Sequence, residues 1–99
     1  MWRQGDVLIE QIHEIPPNLK QIKRLILAAG DNTAQRHQIK ERGVAQLFQD
    51  NRGQLFLAVT AQQAVVVHPE HKQIVLPKGN YRVWRQREFD PVRPRTVAD

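Results

Sequence analysis

Short apolar stretches separated by polar turns run along the whole chain, at the spacing typical of β-strands. The first covers Gly5 to His13, where alternate residues face opposite sides and β-branched side chains dominate. A second, over 24–28, ends at the turn cluster Gly30-Asp31-Asn32. Apolar residues over 19–29 also fit one or two helical turns, but the short run Leu25-Ile26-Leu27 favours a strand.

The clearest hairpin signal is Asp50-Asn51-Arg52-Gly53. Asn and Gly tolerate positive φ angles, and apolar stretches over 44–48 and 54–59 flank the turn. The pattern therefore predicts two antiparallel strands that bring Leu47, Leu55 and Leu57 into one core.

Three further strands are predicted over 64–67, 72–76 and 81–89. Residues 61–63 are expected to form a short connection, and Pro77-Lys78-Gly79-Asn80 a turn between two strands. The segment from about residue 91 is expected to be a loosely held tail.

Strands at steady intervals with no long helix predict an all-β fold: a single small β-barrel or β-sandwich of mostly antiparallel strands. Ninety-nine residues are enough for one domain over 1–99. The chain has no cysteine, no stretch long enough to cross a bilayer and no signal-peptide pattern, which predicts a cytoplasmic protein. No cofactor is predicted.

Positive charge is concentrated near the end of the chain. The formal net charge is +5, and the segment from Lys78 to Arg95 has six cations against two acids. Within it, an exposed Trp84 beside Arg82 would suit base stacking, with arginines on phosphates. The nucleic-acid-binding residues predicted from this pattern are Lys78, Arg82, Trp84, Arg85 and Arg87. A buried Trp84 with arginines at the strand rim is the structural alternative.

Two histidines flank a Pro-Glu pair in His68-Pro69-Glu70-His71. Pro69 excludes a helix, so the segment reads as a corner between strands. A catalytic zinc site needs three protein ligands, and here the third would come from His37 or His13. The metal site considered as the alternative is His37, His68 and His71.

A fainter pattern resembles the metal motifs of cupin β-barrels. His37 and Glu41 have the spacing of that motif, but Gln35 stands where its first histidine is expected. Pro77 and Gly79 resemble the tight turn of the second cupin motif, without the histidine that should follow.

RQGDVLIEQI, HPEHKQIVLPKGNYRVWRQREFDP and the terminal RTVAD together resemble a group of short bacterial and phage-associated proteins with no assigned activity. The resemblance covers most of the chain. The group tends to have Gly-His-x-His where this chain has Ala34-Gln35-Arg36-His37, so one imidazole of a metal site is missing here.

These patterns support two hypotheses of different class. The first is a protein of unknown function acting as a small non-catalytic binding module, with nucleic acid as partner of the basic strand over 78–87. The alternative is a histidine-based metal or small-molecule site in a cupin-like β-barrel, which requires His37 to lie near His68 and His71. The sequence leaves enzymatic activity and oligomeric state open, a homodimer through edge strands included.

Overall fold

A computed structural model describes residues 1–29 and 35–86 of the chain. Within these residues all regular structure is β-strand. The eight strands are β1 Trp2–Gln4, β2 Val7–Ile12, β3 Lys20–Ile22, β4 Ile26–Ala29, β5 Arg36–Ile39, β6 Ala45–Gln49, β7 Leu55–His68 and β8 His71–Arg85. Every pairing between them is antiparallel.

The eight strands form one sheet that forks at β7. The main path runs β1-β2-β8-β7-β5-β4, and β6 with β3 branches from the same β7. The first half of β7 pairs with β6 over Leu55–Val59, and its far end pairs with β5 at Val66 and Val67. The sheet curls into a small half-barrel, which confirms the all-β, barrel-like prediction.

The predicted Asp50–Gly53 hairpin is confirmed. The Asp50 carboxylate accepts hydrogen bonds from the backbone N–H groups of Arg52 and Gln54, both at 2.9 Å. Gly53 has a φ of 89°, a conformation that glycine adopts at little cost. Leu47 and Leu57 are fully buried across the β6–β7 ladder, and Leu55 packs against the same core.

The prediction that strands end at 61–63 and at 77–80 is wrong. β7 and β8 continue through them as one long hairpin that reverses at Pro69 and Glu70. The two segments face each other, because Val59 pairs with Gly79 and Gln63 with Pro77, and the ladder shifts register between those pairs. The turn-forming residues therefore make a bulge within the hairpin rather than a chain reversal.

Strands β1 and β3 were not predicted. Trp2–Gln4 is short and mostly polar, and it forms a strand because it pairs with Val7–Ile9 across the Gly5-Asp6 turn. Lys20–Ile22 likewise becomes a strand by pairing with Leu47–Gln49. In both cases pairing with the partner strand determines the structure, because apolar and polar residues alternate over too few positions to predict a strand from the sequence.

One cluster of buried apolar side chains forms the core. Its fully buried members include Val7, Ile9, Leu47, Leu57, Val66, Leu76 and Tyr81. The described residues contain no helix long and apolar enough to cross a membrane. The strand end predicted near residue 89 and the tail predicted from about 91 lie outside the described residues, and the single-domain assignment stays a prediction.

Candidate functional site

The structure brings together three histidines that are far apart in the sequence. His68 ends β7 and His71 begins β8, on either side of the hairpin reversal. His37 joins them because β5 pairs with the end of β7, with Gln38 opposite Val67. The ring centroids lie 4.2 Å apart for His37 and His68, 4.6 Å for His68 and His71, and 5.9 Å for His37 and His71. We call these three residues the histidine cluster.

A buried glutamine fixes the orientation of His37. The Gln4 side-chain Nε2 donates to the backbone carbonyls of Val66 at 3.1 Å and Lys72 at 2.8 Å. Its Oε1 is therefore an acceptor, and it lies 2.8 Å from His37 Nδ1. The neutral imidazole consequently has its hydrogen on Nδ1, which leaves the lone pair on Nε2.

An ion pair borders the cluster on the side of His37. Asp6 Oδ1 lies 3.8 Å from His37 Nε2, and Asp6 Oδ2 accepts from Arg85 Nε at 3.1 Å and Nη2 at 2.9 Å. Burial raises the pKa of Asp6, but the hydrogen bonds and charge of Arg85 outweigh it, and the net pKa falls below 3.8. Asp6 is thus an ionised carboxylate at neutral pH.

Burial dominates the ionisation of His37, whose exposed fraction is 6%. Burial first, and then the neighbouring His68, lower the pKa of His37 against the opposing effect of Asp6, and the net result is a fall from 6.5 to about 4. His37 is therefore neutral at physiological pH.

The other two rings are held by the hairpin tip and by the β1–β2 turn. His68 Nδ1 accepts a hydrogen bond from the backbone N–H of Glu70 at 3.0 Å. Gly5 has a φ of 59°, and a Cβ atom there would lie 2.7 Å from His71 Nε2. The turn can approach the His71 ring because residue 5 has no side chain.

The three rings pack against one another, with 34° between the planes of His37 and His68 and 48° between those of His68 and His71. His37 and His71 are nearly parallel, with 16° between their planes. A metal needs ligand atoms converging at about 2.0–2.2 Å, whereas stacked rings direct their in-plane lone pairs side by side. Within 1–29 and 35–86, no group of three or more His, Cys, Asp or Glu side chains has a geometry that would hold a metal ion. His13 is exposed, and among the described residues its ring makes no contact with the histidine cluster.

The predicted basic strand is largely engaged within the protein. Arg82 Nη2 lies 3.1 Å from Glu10 Oε1, and the Arg82 guanidinium lies 4.4 Å above the Trp84 ring. Arg85 binds Asp6, as described above. Lys78 is exposed, and Arg87 lies outside the described residues. Of the predicted nucleic-acid-binding residues, two arginines are thus already in ion pairs and Trp84 already has a cation on its face.

A second basic surface was not predicted from the sequence. It is a groove of about 630 Å³ at the fork of the sheet, between the β3–β4 connection and the β5–β6 connection. Its cations are Lys23, Arg24, Arg36, Lys40 and Arg42, and its acid is Glu41. None of these five cations forms an ion pair with another described residue. We call this surface the basic groove.

The sequence did contain a signal for the groove. Lys23-Arg24 and Lys40-Glu41-Arg42 are two basic clusters, each directly after a strand. At least 16 positions separate the two clusters in the sequence. The fork of the sheet at β7 brings the two connections side by side. Charge summed along a continuous segment cannot detect such a surface.

One family model matches residues 3–86, and its description is a domain of unknown function, DUF8820. The match covers most of the chain. The protein belongs to the DUF8820 family. No curated protein and no solved structure matches the chain.

The DUF8820 match contains the histidine cluster, the Asp6–Arg85 ion pair and the basic groove. It also confirms the resemblance to an uncharacterised group, since the family has no assigned function. Both candidate surfaces are therefore parts of the DUF8820 domain itself.

Proposed function

We propose that the protein is a small non-catalytic module that binds single-stranded nucleic acid in the basic groove. The observation that carries this proposal is the charge of the lining: five cations against one acid, with no ion pair made by those cations among the described residues. Lys and Arg side chains bind phosphates by displacing condensed counterions. A cation that makes no ion pair within the described residues can bind a phosphate without first breaking one.

This consideration favours the groove over the basic strand. Arg82 would have to leave Glu10, and Arg85 would have to leave Asp6, before either could bind a phosphate. Removing one partner from a half-buried ion pair leaves the other charge without compensation. Lys23, Arg24, Lys40 and Arg42 are exposed and have no ion-pair partner to give up within residues 1–29 and 35–86.

The floor of the groove favours a single strand over a duplex. Ile22, Leu25, Ile26 and Ile39 lie among its lining residues. Unpaired bases can rest on apolar side chains while their phosphates reach the cations at the rim, whereas a duplex presents its phosphates and hides its base faces. No aromatic side chain lines the groove, so we expect binding with little sequence preference.

The test is fluorescence anisotropy with a labelled single-stranded oligonucleotide over a range of salt concentrations. The parent protein should bind at about 50 mM salt and weaken steeply as salt rises. The triple variant R24Q/K40Q/R42Q removes three exposed groove cations. Each lost phosphate contact lowers the log–log salt slope by about 0.7 for a single strand, so the slope should fall by about 2.

The matched control is K20Q/R52Q/K72Q, which removes the same charge from exposed positions outside the groove. It should keep most of the affinity and the parent slope. Equal losses in the two triple variants would mean that net charge, and not the groove, is responsible. Loss confined to Lys78→Gln would return the site to the basic strand.

A histidine-based metal or small-molecule site is the second candidate. The observation that favours it is the 4.2 Å approach of His37 to His68, with Gln4 holding the far nitrogen of His37 as ligand-orienting groups do. If this candidate is correct, chelator-treated protein will take up a stoichiometric amount of Zn²⁺ in calorimetry. His68→Gln should lose the metal and His13→Gln should keep it.

The lack of three converging ligands among the described residues predicts the opposite outcome for that titration. To expose the Nδ1 lone pair, His68 would have to give up its bond from the Glu70 N–H. We therefore expect no stoichiometric Zn²⁺ binding by the parent protein. Uptake that depends on both His37 and His68 would contradict this expectation.

We also propose that this family corresponds to the short bacterial and phage-associated proteins that the GDVL and HPEH segments resemble. Support comes from the extent of the family match, which includes both segments up to residue 86. The cytoplasmic location and the homodimer through edge strands remain predictions.

A further inference from the structure

A separate cleft lies at the tip of the β7–β8 hairpin, beside the histidine cluster. It has a volume of about 300 Å³ and is lined by Arg36, Gln38, Val67, His68 and Pro69. Arg36 and Gln38 also line the basic groove, so the two concave surfaces meet along β5. This volume is at the lower end of the range of small-ligand sites.

Each polar side chain that lines the cleft offers at least one hydrogen-bond donor. His68 Nδ1 accepts from the backbone N–H of Glu70, which can only donate. The ring hydrogen of neutral His68 is therefore on Nε2, and this nitrogen is a donor. The Arg36 guanidinium adds a charged fork, and the Gln38 amide adds N–H groups.

These donors are not used within the part of the chain that the structure describes. Neither Arg36 nor Gln38 makes a side-chain hydrogen bond or ion pair with any residue that the structure describes. Glu70 is exposed at the hairpin tip but does not line the cleft, and Asp6 is bound to Arg85. No carboxylate thus neutralises Arg36 among the residues that line the cleft.

We infer that this cleft binds a phosphate group, held by Arg36, His68 Nε2–H and the Gln38 amide. A phosphate has several acceptor oxygens and no C–H surface, which matches a site made of donors around one guanidinium. Val67 and Pro69 complete the lining with apolar side chains.

The phosphate can be free inorganic phosphate or the terminal phosphate of a strand in the adjoining groove. Only the second source rests on the proposed function, because it requires nucleic acid in the basic groove. A strand that follows the groove along β5 would bring its end to the cleft.

The experiment compares three probes with the full-length protein: inorganic phosphate, a 5′-phosphorylated oligonucleotide and the same oligonucleotide with a 5′-hydroxyl. Two further oligonucleotides, with and without a 3′-phosphate, test whether the 3′ end of the strand, and not the 5′ end, reaches the cleft. Affinities are measured by calorimetry or anisotropy, and ¹⁵N-resolved NMR locates the inorganic phosphate. A charge-assisted hydrogen bond corresponds to about a tenfold change in affinity or more, so one terminal phosphate should improve binding by at least about tenfold.

Two variants assign the effect to His68. His68→Phe keeps a flat ring against His37 but removes the donor, and it should abolish the preference for a terminal phosphate. His68→Gln retains an N–H donor and should keep part of the preference. His71→Gln changes the same cluster outside the cleft lining and should leave the preference intact. Circular dichroism and thermal melting of each variant verify that it is folded.

Each outcome has a defined meaning. A His68-dependent preference for one phosphorylated end supports the cleft with nucleic acid as the source. Inorganic phosphate that shifts the amides of β5 and the hairpin tip, without any preference between oligonucleotides, supports the cleft with free phosphate as the source. No response to either form of phosphate overturns the inference, and continued binding of the 5′-hydroxyl oligonucleotide would leave the proposed function in place.

Discussion

At the scale of single residues, His37 connects the histidine cluster to the rest of the fold. It is one of two buried polar side chains among the described residues, and the other is Gln4, its hydrogen-bond partner. The pair links β5 to β1, and Gln4 continues the link to the backbones of β7 and β8. A proton on His37 Nε2 would be placed in a site that burial makes unfavourable for charge.

The resulting prediction concerns stability against pH. The pKa of His37 is lowered from 6.5 in the unfolded chain to about 4 in the fold. Between these values the unfolded state binds more protons, so the free energy of unfolding should fall as pH drops from about 6.5 to about 4. The lowered pKa corresponds to on the order of 3 kcal/mol. Urea denaturation at a series of pH values measures this loss.

His37→Gln removes the titrating group and keeps a hydrogen-bonding side chain. In this variant the dependence between pH 6.5 and pH 4 should largely disappear, although the overall stability will be lower. His13→Gln, at an exposed position, is the control and should retain the parent profile. Parallel profiles for the parent and His37→Gln would show that another group causes the pH dependence.

At the scale of elements, the β1–β2 turn packs against the β7–β8 hairpin. Gln4, Gly5 and Asp6 contact the hairpin backbone, His71 and Arg85 in turn. Three consecutive residues thus dock one edge of the sheet onto β5, β7 and β8. The absence of a Cβ at Gly5 is part of this docking.

Comparison of two glycines separates the backbone strain caused by a Cβ at positive φ from the steric contact of that Cβ with His71. Gly5 and Gly43 both have positive φ angles, 59° and 77°, but only Gly5 has a neighbour where a Cβ would lie. Gly43→Ala should cost about 1 kcal/mol from backbone strain alone. Gly5→Ala should cost more, because the His71 ring must also move.

A double-mutant cycle completes the test: the cost of Gly5→Ala is measured in the parent protein and again in the His71→Ala variant. Removal of the ring should reduce the cost of Gly5→Ala to about that of Gly43→Ala, as measured by chemical denaturation. If Gly5→Ala costs the same with and without His71, the close approach of the turn to that ring has no energetic role.

The elements also show what the sequence can and cannot predict. Alternation and the Asp50–Gly53 turn were sufficient for β6 and the start of β7, because both signals are local. Pro77 and Gly79 misled the prediction, since a strand that pairs on both sides of a bulge can include turn-forming residues. The 4.2 Å contact of His37 with His68 depends on the pairing of β5 with β7, a long-range register that no local pattern encodes.

At the scale of the whole molecule, the distribution of charge follows the topology of the sheet. The fork at β7 separates β5 from β6, and the connections that cross it have most of the groove cations. In contrast, Arg82 and Arg85 lie within β8, where Arg82 pairs with Glu10 of the neighbouring β2 and Arg85 with Asp6 of the β1–β2 turn. The arginines of β8 are therefore paired with acids, whereas the groove cations have no ion-pair partner among the described residues.

The most direct test of the central claim is to map where nucleic acid binds. A ¹⁵N-labelled sample is titrated with a single-stranded oligonucleotide at about 50 mM salt, where phosphate contacts are strong. The account predicts that backbone amides of residues 23–26 and 38–46 shift together, while those of 80–85 stay close to their free positions. Shifts concentrated at 78–85 with an unchanged groove, or no shift at any residue, would contradict it.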